Sequence, residues 1–230
     1  LGLVGISLFL PALVLILVTG LTADRFPRTR IMMVCLLVEL GCAIGFLLFA
    51  RAHAHEVWPI FVLLVVLGTA RAFMGPATQS LAPNLVPPEA LSNAITTNTA
   101  AWQFASIAGP AAGGLLYGVA PEAAFGTGAV LLTVAFLCVL MIPRPRQVGT
   151  SQATSLETML AGFRYIFSNK VVLGAISLDM FAVLLGGATA LLPVYARDIL
   201  EVGPWGLGFL RSAAGVGALV MVVWLVRNPI

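Results

Sequence analysis

Apolar residues along the chain gather into seven stretches separated by short polar gaps, at approximately residues 3–21, 31–50, 58–79, 93–119, 124–142, 171–196 and 205–226. A bilayer core about 30 Å thick takes roughly 20 apolar residues per helix, so each stretch is long enough to span one. Trp58 and Trp205 open two of the spans and Trp224 nearly closes another, where an amphipathic ring suits the headgroup level. Trp102 lies deeper and is expected to serve packing. The longest gap, residues 143–170, parts the first five spans from the last two. It opens Pro143-Arg144-Pro145-Arg146, which stops a helix, and continues through a polar linker over residues 147–155. From Leu156 the apolar positions change spacing: Leu156, Met159, Leu160, Phe163, Ile166 and Phe167 share one helical face, with Glu157, Arg164 and Asn169 elsewhere. That pattern predicts an amphipathic helix on the membrane surface.

The 230 residues are 60% hydrophobic and 9% charged, with a mean hydropathy of +1.05. Soluble domains carry roughly 45–50% apolar residues, so a water-soluble globular domain is excluded. The net charge of +3 points to no nucleic acid, because the basic residues fall in the gaps and act as topology signals. Arg25, Arg28, Arg30, Arg144, Arg146, Arg164, Lys170 and Arg227 lie on one side; Arg51 and Arg197 lie on the other. The eight-residue side is therefore expected to be cytoplasmic, with Leu1 outside and Ile230 inside. Cys35, Cys42 and Cys138 all lie within apolar runs and read as small hydrophobes rather than a disulfide framework. The chain opens within an apolar stretch, without Met or a basic segment before a cleavage site, and is read as a fragment rather than as beginning with a signal peptide.

Four ionisable residues fall inside spans, where each is disfavoured by about 3 kcal/mol at mid-bilayer. They are Glu39, Arg71, Asp179 and Arg211. Their neighbours at helical spacing are small: Cys35, Cys42 and Ala43 around Glu39, Gly68, Gly75 and Thr78 around Arg71, Ala175, Ala182 and Gly186 around Asp179, and Gly208, Ala214, Gly215 and Ala218 around Arg211. Small stripes favour helix contact over lipid, so all four are expected to face packed helices or a water-filled cavity. Two uses follow from that placement: a proton relay or substrate pathway, or an ion pair locking two helices. Glu39 and Asp179 can take up a proton; Arg71 and Arg211 can only pair, orient or bind anions. Arg211, a turn or two from the outer face, is also placed to snorkel.

Three motifs occur in order along these spans. The first is Gly20-Leu21-Thr22-Ala23-Asp24-Arg25-Phe26-Pro27-Arg28-Thr29-Arg30, a tight helix-loop-helix with an acid followed by three arginines. Here Gly20 is expected to let two helices approach, Asp24 to cap the next helix or pair with an arginine, and the basic residues to hold the loop inside. The second is Arg71-Ala72-Phe73-Met74-Gly75, and the third Gly109-Pro110-Ala111-Ala112-Gly113-Gly114. The third removes a backbone donor, bends the helix and exposes a flat glycine face that Gly118 extends. Together they resemble the major facilitator superfamily: its signature cytoplasmic loop, with Pro27 where Gly is usual and Thr29 interrupting the basic pair, the buried arginine of its fourth helix, and the glycine-proline run of its fifth, associated with exporters. Residues 82–89 with Asn93-Ala94, and residues 192–198, resemble the enterobactin-exporter-like branch and related macrolide-efflux proteins.

The resemblance implies an all-α integral membrane protein, an incomplete major facilitator superfamily helical bundle holding helices two to eight of twelve. Residues 1–142 would form an N-terminal six-helix bundle lacking its first helix, 143–170 the central cytoplasmic loop, and 171–230 the first two helices of the C-terminal bundle. It further implies a monomeric, proton-coupled exporter of a lipophilic small molecule, such as a drug or siderophore, in the bacterial inner membrane, working by alternating access among membrane lipids, without cofactor, metal or nucleic acid. The loop at Gly20, Asp24, Arg25, Arg28 and Arg30 would act in gating, and the four intramembrane charges in coupling. Rivals are a seven-helix receptor and a membrane-embedded enzyme. A retinal pigment needs a mid-span lysine, and Lys170 lies at a boundary; no His-Glu-x-x-His or Gly-x-Ser-x-Gly pattern occurs, and His53 and His55 share an outer loop.

Overall fold

A computed structural model of the chain describes residues 2–52, 56–142, 164–186 and 191–227. Among the described residues seven helices form an up-and-down arrangement: α1 Gly2–Arg25, α2 Arg28–Ala52, α3 Trp58–Leu85, α4 Leu91–Val119, α5 Pro121–Leu140, α6 Lys170–Gly186 and α7 Pro204–Arg227. Each falls on one of the seven apolar stretches. The largest difference is in the sixth, expected to continue to residue 196. The described part of α6 runs to Gly186, and beyond residues 187–190, which lie outside the described ones, the stretch ends in a short turn, Leu192–Val194, and a π-helical turn, Tyr195–Ile199. Pro193 in that stretch has no N–H to donate, and the wider turn is closed by Leu200 N–H donating to the Tyr195 carbonyl at 2.9 Å. The expected amphipathic helix lies mostly outside the described residues; residues 164–168 are helical. Asn169 follows them and caps α6, its Oδ1 accepting from Val171 N–H at 3.2 Å and Val172 N–H at 3.4 Å.

Among the described residues, Arg28–Ala52, Trp58–Gln79 and Pro121–Leu140 are long and apolar enough to cross a membrane on length and composition alone. Helix α4 is not among them, because Thr96, Thr97, Asn98, Thr99 and Gln103 dilute it. Two of the three hydroxyls bond within the helix: Thr96 and Thr99 donate to the carbonyls of Ser92 and Ile95, each at 2.9 Å. Back-bonding of this kind lets a helix carry polar side chains in a medium that offers no water. The outer surface is rich in exposed large side chains such as Leu3, Phe9, Val130 and Phe181, the finish of a lipid-facing protein rather than a soluble one.

Helix α3 packs against both α1 and α2, and α2 in turn against α5. A small core, Ala23, Ile31, Cys35, Ala70 and Ala77, joins α1, α2 and α3 at the end expected to be cytoplasmic, with Phe73 and Met74 against it. Three alanines in five core positions mean that helix proximity, not side-chain bulk, closes this core. The tightest approach in this group is at Gly68, where a Cβ would lie 2.5 Å from the Leu8 carbonyl oxygen. At the other end of α2, Phe46 stacks on Phe125 with centroids 5.7 Å apart, and Tyr117 meets Phe125 edge-on at 6.4 Å. Trp102 does not pack as expected. It is 77% exposed, because the face of α4 turned toward α7 carries Gln103 and Ile107 while residue 102 points about 100° away.

Candidate functional site

Helices α4 and α7 run antiparallel and meet along a seam of small residues. At its centre a Cβ on Gly114 would lie 2.7 Å from the Pro204 carbonyl oxygen and 3.0 Å from Gly208 Cα, and one on Gly208 would lie 2.7 Å from the Pro110 carbonyl oxygen. Toward the C-terminal end of α4 the Trp205 ring covers Gly118, and toward its middle the Ile107 side chain occupies the space beside Gly215. Only glycine at these positions lets the backbones come this close.

Two hydrogen bonds fix the register of the crossing. Ser212, buried, donates its hydroxyl to the Ile107 carbonyl at 2.8 Å, sharing the proton with the Gly208 carbonyl at 3.0 Å. Gln103 Nε2 donates to the Gly215 carbonyl at 3.2 Å. Pro110 disturbs the backbone ladder of α4 in this stretch, and Ser212 supplies a donor one turn before it, where a carbonyl inside a membrane would otherwise find none beyond its own helix. Neither Gln103 nor Ser212 was among the residues singled out from sequence. The sequence carries only a faint trace of them: both are neutral polar side chains within a span, on the same helical stripe as Gly114 and Gly208 respectively.

The glycine-proline run divides between two environments. Gly114 sits in the seam, whereas a Cβ at Gly109 or Gly113 would meet open space. Gly113 faces a cavity of about 730 Å³ at the end of the seam expected to be external, bounded also by Pro110, Tyr117, Pro193, Leu207 and Arg211.

In the arginine-rich loop, α1 ends at Arg25 and α2 begins at Arg28. The Pro27 carbonyl accepts from Arg30 N–H at 2.8 Å and Ile31 N–H at 3.2 Å, closing the first turn of α2. A proline in place of the usual glycine suits this position, since its fixed φ is preorganised for a helix start. Thr29 is buried beneath the turn and Arg30 is exposed. The expectation that Gly20 lets two helices approach is not met: a Cβ there would meet open space, and the close approach of α1 lies at Leu8 instead.

The intramembrane charges separate likewise. Glu39 is half-buried on α2, which packs against α3, the helix that carries Arg71; the two form no ion pair among the described residues. Arg211 lines the outer cavity. The side chains of Arg71, Asp179 and Arg211 are all exposed among the described residues, whereas all four charges were expected to face packed helices or a water-filled cavity. Gly75, a turn beyond Arg71, meets open space, while Gly68, a turn before it, packs on the α1 backbone at Leu8; α6 packs extensively against no other described helix. His53 and His55 lie outside the described residues.

An all-helical chain with an apolar exterior, intramembrane charges and a glycine-lined helix crossing is a polytopic membrane protein. Residues 1–228 match the profile of the Major Facilitator Superfamily, and the chain belongs to that family. Among its relatives, an uncharacterized MFS-type transporter, y4rN, of Sinorhizobium fredii is 29% identical over 70% of this chain and 42% of its own length. The enterobactin exporter EntS of Shigella boydii is 28% identical, and the uncharacterized MFS-type transporter YfiS of Bacillus subtilis 25%, each over 95% of this chain and 53% of the relative. The chain thus spans about half the length of the curated relatives it matches.

Proposed function

We propose that the protein is a secondary transporter exporting a lipophilic small molecule across a bacterial inner membrane, driven by protons and working by alternating access. In this reading residues 1–142 and 171–230 belong to two bundles that rock against each other, joined by residues 143–170. The observation that carries it is the α4–α7 crossing, where the glycine-proline helix of the first group lies backbone against backbone on the last helix of the second. A contact made of glycines and two hydrogen bonds, with little interlocking side-chain bulk, suits surfaces that part and rejoin. Relatives named enterobactin exporters support the outward direction. Family membership favours this reading over a receptor or an enzyme.

Glu39 and Arg71, on the adjoining helices α2 and α3, supply the coupling element: an acid that exchanges between paired and protonated states as a neighbouring cation and the surrounding solvent change with the open side. Asp179 is the second candidate. The arginine-rich loop beside the α1–α2–α3 core acts as a cytoplasmic gate element. The test is flux in proteoliposomes of the full-length protein under an imposed pH gradient. A lipophilic fluorescent dye should move against its gradient and stop when a protonophore is added; movement indifferent to the protonophore would rule out proton coupling.

A further inference from the structure

We propose that the cavity at the outer end of the α4–α7 seam binds an amphiphilic monoanion, a carboxylate, sulfonate or phosphodiester on an apolar body, with Arg211 holding the charge. At about 730 Å³ it has the size of a small-molecule site, and Pro110, Pro193, Leu207 and the flat face of Gly113 give it largely apolar walls. Arg211 is the charged residue that α7 contributes to those walls. Its guanidinium cannot shed its charge, it sits seven residues inside α7, about 10 Å of helix, and among the described residues it forms no hydrogen bond or ion pair. Arg211 is exposed where it lines the cavity, so its charge is accessible to a ligand, and a permanent cation beside apolar walls is complementary to one negative charge attached to an apolar body.

Two further lining residues define the ligand. Arg197 leans toward its neighbour Asp198 at 3.8 Å, with both side chains largely exposed, so this screened pair contributes little to the interior. Glu201 lines the cavity from the loop before α7, where it holds a left-handed backbone with φ of 50°. A carboxylate there, with the guanidinium deeper, repels a second negative charge near the entrance while leaving the inner position cationic. That arrangement selects a monoanion over a polyanion. The site stands on this geometry and does not require the export reading, although a ligand held here at the outer face would be well placed as cargo on its way out.

The chemistry fits either a free organic acid or an anionic phospholipid such as phosphatidylglycerol. The probe is radiolabelled dodecanoate, measured by equilibrium binding to the full-length protein in phosphatidylcholine nanodiscs. Binding should saturate, be competed by dodecanesulfonate and ignore dodecanamide. Loss of a charge-assisted hydrogen bond of about 1.5–3 kcal/mol predicts that Arg211→Gln weakens it by about tenfold or more, with Arg211→Lys in between. Leu207→Trp fills the cavity without touching the charge and should also reduce binding, so the result does not depend on one variant folding. Weaker dodecanoate binding in phosphatidylglycerol nanodiscs would identify lipid as the occupant; unchanged binding would identify a free acid. Absence of saturable binding, or equal affinity in wild type, Arg211→Gln and Leu207→Trp, overturns the proposal. Dye flux through the same variants reconstituted in proteoliposomes separates the two readings, since binding without gradient-driven flux removes export alone, and flux without Arg211-dependent binding removes this site alone.

Discussion

At the scale of single residues, the acids inside the spans carry the sharpest expectations. Glu39→Gln keeps size and some hydrogen bonding but cannot cycle a proton, and Asp179→Asn makes the same change on α6. At least one should abolish pH-driven export in proteoliposomes while leaving substrate binding intact, and wild-type proton flux in both would make them structural. Arg71→Lys provides the contrast. It keeps the charge while removing the planar fork, so coupling should be impaired less than by loss of the acid. Glu39 and Arg71 were legible in the sequence because a charge within an apolar run stands out against its surroundings. Gln103 and Ser212 were not, because a neutral polar residue in a span is commonplace until a carbonyl on another helix is seen opposite it. The open space at Gly20 was equally hidden, since a glycine's spacing along a helix does not say which of its sides meets a neighbour.

At the scale of helices, the seven apolar stretches foretold seven helices, because length and hydropathy are properties of a segment by itself. The ends were less visible. Helix α3 continues to Leu85 although apolarity fades after Gln79, and the sixth apolar stretch closes in a π-helical turn, Tyr195–Ile199, although apolarity persists up to it. Backbone geometry, not composition, sets those limits. The glycine-proline run was visible as a motif, but only its packing distinguishes Gly114 from Gly113. A side chain at Gly114 must push α7 away, an overpacking cost of about 1–3 kcal/mol, whereas one at Gly113 extends into the outer cavity. Matched for expression, Gly114→Leu should lose most export, while Gly113→Leu should resemble Ala129→Leu unless the ligand needs that space. Equal efflux in Gly114→Leu and Ala129→Leu would take the seam out of the mechanism.

At the scale of the whole molecule, orientation rests on the eight-to-two distribution of basic residues, which a helix bundle by itself cannot reveal. Met141, just past α5, and Val57, just before α3, are both exposed and lie at opposite ends of the bundle. With native cysteines removed, Val57→Cys should react with an impermeant thiol reagent on intact cells, and Met141→Cys should react only after lysis. The reverse pattern would invert the topology.

The glycine crossing also bears on how the protein can be repaired by selection. Where a large side chain meets a large one, damage from enlarging the first is often offset by shrinking the second. Gly114 faces Gly208 and the backbone of Pro204, groups that have nothing left to remove. Suppressors of a growth defect caused by Gly114→Ala should therefore be same-site reversions, or distant changes that reposition a whole helix. A compensating substitution recovered at Gly208 would show that the two backbones do not touch in the working protein.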